Sequence, residues 1–143
     1  MLPLGEKVLV LRTFWQLWRI RRALARRAFK SVLEDVRERA ARGRWVLAAS
    51  YIDCGLVCRW VEGCSWNLPG EYTCLPKAMA GFLLCAGYGY RTEIRFGVDR
   101  TDRGELDAHA WLEYEGDIVL GLLPRMERFK IFNWPDAFSQ KKS

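Results

Sequence analysis

The chain is poor in histidine: His109 is the only one. That argues against a cysteine–histidine metal centre, and it leaves one imidazole to exchange a proton near neutral pH. No uncharged apolar run is long enough to cross a bilayer. There is no internal repeat, no low-complexity stretch and no nucleic-acid recognition motif. The opening residues, Met1-Leu2-Pro3-Leu4-Gly5-Glu6-Lys7, do not read as a secretory signal, because Glu6 comes early and Arg12 interrupts the apolar run. Five cysteines is an odd count. A framework of paired disulfides is disfavoured, and free thiols in a reducing cytoplasm are the expectation.

What is present suits one domain. The 143 residues are 50% hydrophobic, with 7 Trp and 7 Phe, enough for a packed core. The net charge of +6 is concentrated at Arg19, Arg21, Arg22, Arg26, Arg27 and Lys30. Such a patch is most simply a solvated helix face, but it also suits an anionic membrane surface or an acidic partner. Nucleic acid is not expected as a partner.

The pattern reads as helices followed by strands, hence an α+β fold in which a cysteine-bearing helix packs on a small antiparallel sheet. Residues 1–143 form a single domain, with a helical part over 1–62 and the cysteine helix and sheet over 70–135. Residues 5–29 read as an amphipathic helix with Leu11, Trp15, Trp18 and Ala25 on the apolar stripe, widened by Phe14, Leu17 and Leu24. A helix over 31–41 is expected to start at a Ser31–Glu34 capping box and to end at Gly43. A third, buried helix is expected over 45–61, with Asp53 as a surface carboxylate inside it, paired with Arg59 or another base. Cys54 and Cys58 fall in its apolar run and are read as structural cysteines. Residues 63–72 form a loop by composition, with Trp66 either walling a substrate cleft or, more simply, plugging the core. Strands are expected over 88–98, 106–114 and 117–122, with a hairpin turn at Glu115-Gly116. Phe129, Ile131, Phe132, Trp134 and Phe138 add a strand or pack on the core, and 140–143 should fray.

One stretch carries chemistry. Residues 74–87 are almost wholly apolar, so they form a buried helix. Thr73 suits its N-cap, Pro76 its first turn and Gly87 its left-handed terminator. Cys74 therefore stands at a helix N-terminus, where free N–H groups and the helix dipole favour a thiolate. His109 follows on a strand. A thiol and an imidazole are the parts of a nucleophile and its base: the thiolate attacks an acyl carbon, the imidazolium protonates the leaving amine, and helix-end N–H groups hold the oxyanion. The order cysteine then histidine is that of the papain and transglutaminase arrangement.

The flanking residues are more specific. Cys74-Leu75-Pro76-Lys77-Ala78 leads into Leu83-Leu84-Cys85-Ala86-Gly87-Tyr88. Gly97-Val98 follows, then Ala108-His109-Ala110-Trp111-Leu112-Glu113 before Glu115-Gly116. Over about residues 70–122 this resembles the lasso-peptide leader peptidases, a transglutaminase-like cysteine protease family, in its stand-alone form. The resemblance implies removal of the leader from a ribosomally made precursor peptide, with Cys74 as nucleophile and His109 as base. It implies no cofactor and no metal. It implies two protein partners: a small leader-binding recognition protein, and an ATP-dependent cyclase that closes the freed core into a macrolactam.

The family's third residue is an aspartate about twelve positions past the histidine, where this chain has Leu120-Gly121-Leu122. Asp117 and Asp107 are the candidates nearest in sequence, and a backbone carbonyl or a water could orient the imidazole instead. The competing reading is a weakened or inactive scaffold in a peptide-modifying complex.

Overall fold

The computed structural model describes residues 2–43, 52–68, 73–100 and 103–132. Helices α1 (Leu4–Arg26), α2 (Phe29–Ala41), α3 (Cys54–Asn67) and α4 (Cys74–Gly87) precede four strands, β1 (Glu93–Arg100), β2 (Leu106–Tyr114), β3 (Asp117–Leu120) and β4 (Lys130–Phe132). The strands form one antiparallel sheet in the order β3-β2-β1-β4. The fold is α+β, as the sequence implies.

The apolar helix α4 is the centre. Met79, Ala80, Leu84 and Cys85 have no exposed surface, and α1, α2, α3 and β2 all pack against it. At Gly81 an added Cβ would stand 2.8 Å from Leu120 Cδ2 and 3.2 Å from Leu112 Cδ2. The missing side chain lets helix and sheet approach closely. The helix ends in a Schellman turn. Tyr90 N–H donates to Cys85 O at 2.8 Å, Gly89 N–H to Ala86 O at 3.0 Å, and Gly89 is left-handed with φ +93°. The terminator is thus Gly89, not Gly87, and the first strand begins at Glu93 because Tyr88 and Tyr90 belong to this turn.

Several expectations are corrected. In α1 the buried residues are Leu9, Thr13, Leu17 and Ile20. Leu11, Trp15, Trp18 and Ala25 face outward, whereas Leu17 is buried and Phe14 and Leu24 pack on the core, so the centre of the stripe read from the sequence is on the solvent side and only its flank faces inward. Thr13 fits the core because its hydroxyl donates to Leu9 O at 2.7 Å. Outside, Trp15 and Trp18 lie 5.5 Å apart, and the Arg22 guanidinium sits 5.3 Å over the Trp18 ring.

Helix α2 starts at Phe29, with Ala28 as N-cap and no side-chain cap, so Ser31 lies within its first turn and forms no capping box. Its hydroxyl accepts from Arg27 Nη2 at 2.7 Å. Asp53 is not inside a helix. It is the N-cap of α3 and accepts from Leu56 N–H at 2.7 Å. Helix α3 runs on through the expected loop to Asn67, leaving Trp66 80% exposed. The segments 45–51 and 69–72, Trp134, Phe138 and 140–143 lie outside the described residues.

The strand 106–114 and its hairpin match the sequence reading. Glu115 and Gly116 have φ 51° and 85°, the paired left-handed residues of a tight turn between twisted strands. Opposite His109 on β1 stands Gly97. A Cβ there would lie 2.8 Å from Trp111 Cη2 and Cζ3 and from Phe129 Cβ. Gly97→Ala should therefore displace those rings and cost about 1–3 kcal/mol of stability, read as a lowered urea midpoint at constant slope. An unchanged midpoint would show that the rings yield freely.

Candidate active site

Cys74 is the first residue of α4, with Thr73 as an extended N-cap whose side chain makes no cap hydrogen bond. The thiol is half-buried, whereas Cys54, Cys58, Cys64 and Cys85 are buried. Position follows from packing: α4 is seated on β2 and β3 by Gly81, and its N-terminal end comes to the part of β2 that carries His109.

Both residues line a cleft of about 580 Å³. Its walls are α3 (Cys58, Arg59, Glu62), the start of α4 (Lys77, Ala78), and the β2–β3 side from Ile118 to Leu123. Cys74 and His109 also line a smaller cavity of about 210 Å³ with Phe29, Leu75, Phe96 and Gly97. The two residues therefore stand where the cavities meet. No hydrogen bond joins Cys74 Sγ to the imidazole among the described residues; catalytic contacts are commonly looser before substrate binds.

Three contacts hold the imidazole. Its Nε2 lies 2.6 Å from Gly121 O. A carbonyl only accepts, so Nε2 donates to it and Nδ1 is the nitrogen left for other partners. Trp111 stacks at 5.8 Å and Phe129 packs at 5.5 Å. Trp111 is tied in turn by its Nε1–H to Glu113 Oε2 at 2.9 Å.

Gly121 has φ +90°, and an added Cβ would be 3.0 Å from Trp111 Cβ and 3.1 Å from Ala110 O. The position that faces the histidine is thus tight and left-handed, which favours glycine, and it presents backbone instead of a side chain.

The acids expected nearby stand elsewhere. Asp107 accepts from Arg128 Nη1 at 3.1 Å, which also reaches Asp99 at 3.0 Å. Asp117 is exposed beside the hairpin turn, opposite Tyr114. Among the described residues neither hydrogen-bonds His109. Sequence reasoning allowed for a backbone acceptor without locating it, and the signal was the glycine itself, twelve residues past the histidine.

On the α3 wall, Glu62 Oε1 pairs with Lys77 Nζ at 3.1 Å, while Glu62 Oε2 is buried with no hydrogen-bond partner among the described residues. That leaves a hydrogen-bond acceptor on a cleft-lining residue.

A cysteine-tipped helix seated on an antiparallel sheet, with a histidine strand beside the cysteine, defines a thiol-chemistry class of α+β domain. Residues 9–133 match the family model described as the Transglutaminase-like superfamily, and the chain belongs to that superfamily. Its members are generally cysteine peptidases or transglutaminases. No curated protein and no solved structure matches.

The thiols differ in availability. Burial pushes Cys64 up to about 11. Hydrogen bonds among Cys54, Cys58 and Cys85 draw Cys54 down to about 4 and, together with burial, raise Cys58 and Cys85. Iodoacetamide at about pH 7 should therefore label Cys74 first, since the other thiols are enclosed, protonated or both. Peptide mapping showing Cys64 or Cys85 modified ahead of Cys74 would contradict this picture of the cleft.

Proposed function

We propose that the protein is a cysteine peptidase that removes the leader from a ribosomally made lasso-peptide precursor. The observation that carries the reading is the shared cleft: Cys74 and His109 line it together, and the imidazole is oriented by Gly121 O. Nδ1 takes the Cys74 proton, and the sulfur attacks the carbonyl carbon at the leader–core junction. The imidazolium protonates the leaving amine of the core, and a leader thioester remains on sulfur. Water, deprotonated by the same imidazole, releases the leader acid and restores the thiol.

N–H groups of the first α4 turn, free of intrahelical partners beside Cys74, would hold the oxyanion. The cleft between α3, the start of α4 and the β2–β3 side is where the precursor peptide would lie. A small leader-binding protein would present the precursor, and an ATP-dependent cyclase would take the freed core.

A second reading, an inactive scaffold, draws on one observation: no carboxylate contacts His109 among the described residues. Precursor cleavage with a leader-binding partner present separates the two. Cys74→Ala and His109→Ala should each lose roughly 10³-fold or more in kcat/KM. Cleavage that is absent from the wild type, or equal in all three proteins, would sink the peptidase reading.

Gly121→Ala should keep iodoacetamide labelling of Cys74 but lower kcat by about 100-fold, because the carbonyl and the ring it holds are displaced. Full activity in that variant would remove Gly121 O from the mechanism.

A further inference from the structure

Three other thiols gather in the core. Cys54 opens α3, Cys58 follows one turn later on the same face, and Cys85 lies near the end of α4. They are 4%, 2% and 0% exposed, and their sulfurs all lie within 4.8 Å of one another. Cys54 Sγ and Cys85 Sγ are 3.5 Å apart. None is in a disulfide. Among the described residues no imidazole or carboxylate joins the group.

We propose that Cys54, Cys58 and Cys85 form a closed three-thiolate site for a soft monovalent metal ion of the Cu(I) type. A metal–thiolate bond of about 2.3 Å places three sulfurs at the corners of a triangle about 4 Å on a side. The observed sulfurs, one pair at 3.5 Å and all within 4.8 Å of one another, already lie close to that triangle. Zinc favours a tetrahedron and would find no fourth protein donor among the described residues, whereas three soft sulfurs complete the shell of a trigonal ion.

Each ligating thiol gives its proton to solvent, so three thiolates and one monovalent ion leave a net charge of two minus. The dipole of α3 partly offsets this at Cys54, against the Asp53 carboxylate that caps the same turn. Cys58 also lines the large cleft, which gives the ion a path from solvent. With no open coordination position, the bound ion would cross-link α3 to α4 and take no part in turnover. The site is independent of the peptidase reading.

The test is anaerobic titration of the fully reduced chain with Cu(I) buffered by bathocuproine disulfonate. One equivalent should resist the chelator, with X-ray absorption showing three sulfur neighbours at about 2.3 Å. Cys74→Ala and Cys64→Ala should keep that equivalent, and Cys58→Ala and Cys85→Ala should lose it. The absorption spectrum of the wild type decides the coordination even if a core variant misfolds. No chelator-resistant copper, nitrogen or oxygen in the first shell, or full retention by a folded Cys85→Ala would overturn the proposal.

Discussion

The molecule hangs on the contact between α4 and the sheet at Gly81. Without a side chain there, Leu112 and Leu120 reach the helix, and the remaining helices pack around the α4 core. Close packing of this kind tolerates little change in volume. It sets the height of the helix over β2 and therefore where the first residue of the helix emerges. Cys74 owes its position to apolar packing two turns further along, not to polar contacts of its own.

On the opposite side of the cleft the determinants are of another kind. His109 is buried against two aromatic rings that also touch each other, and fixed by one hydrogen bond to backbone. Gly97 makes room for the rings, and Gly121 turns its carbonyl toward the imidazole through a left-handed conformation. Two glycines thus shape the base, one by leaving space and one by its backbone angle. The nearby carboxylates are engaged in other tasks: Asp107 and Asp99 hold Arg128, and Glu113 anchors Trp111. That division explains why no acid is free to approach the histidine from the same strand.

The sequence disclosed the α+β class, the span of α4, strand β2 and its Glu115-Gly116 turn, because apolar runs, alternation and left-handed turn residues are local signals. It misled where two patterns share one period. Leu11, Trp15 and Trp18 recur as regularly as Leu9, Thr13, Leu17 and Ile20, and large aromatics outweighed a threonine whose hydroxyl is satisfied within the helix. Ser31 resembled a cap because capping residues are recognised by spacing, while the chain bends three residues earlier, at Ala28. Tyr88 and Tyr90 alternated like a strand but close the helix. The orienting group behind His109 is backbone, which has no letter in the sequence. The meeting of Cys85 with Cys54 and Cys58 is tertiary and equally invisible.

A backbone carbonyl behind the histidine has a consequence for how this site can vary. A carboxylate carries charge and can be protonated, exchanged for an amide or deleted by one codon. The oxygen of Gly121 does none of these: it stays neutral at every pH, and every residue type supplies it. Selection can act on it only through the bend that aims it. The heritable part of this third member is therefore an angle, and comparison by residue identity would score the position as vacant while its acceptor remained in place.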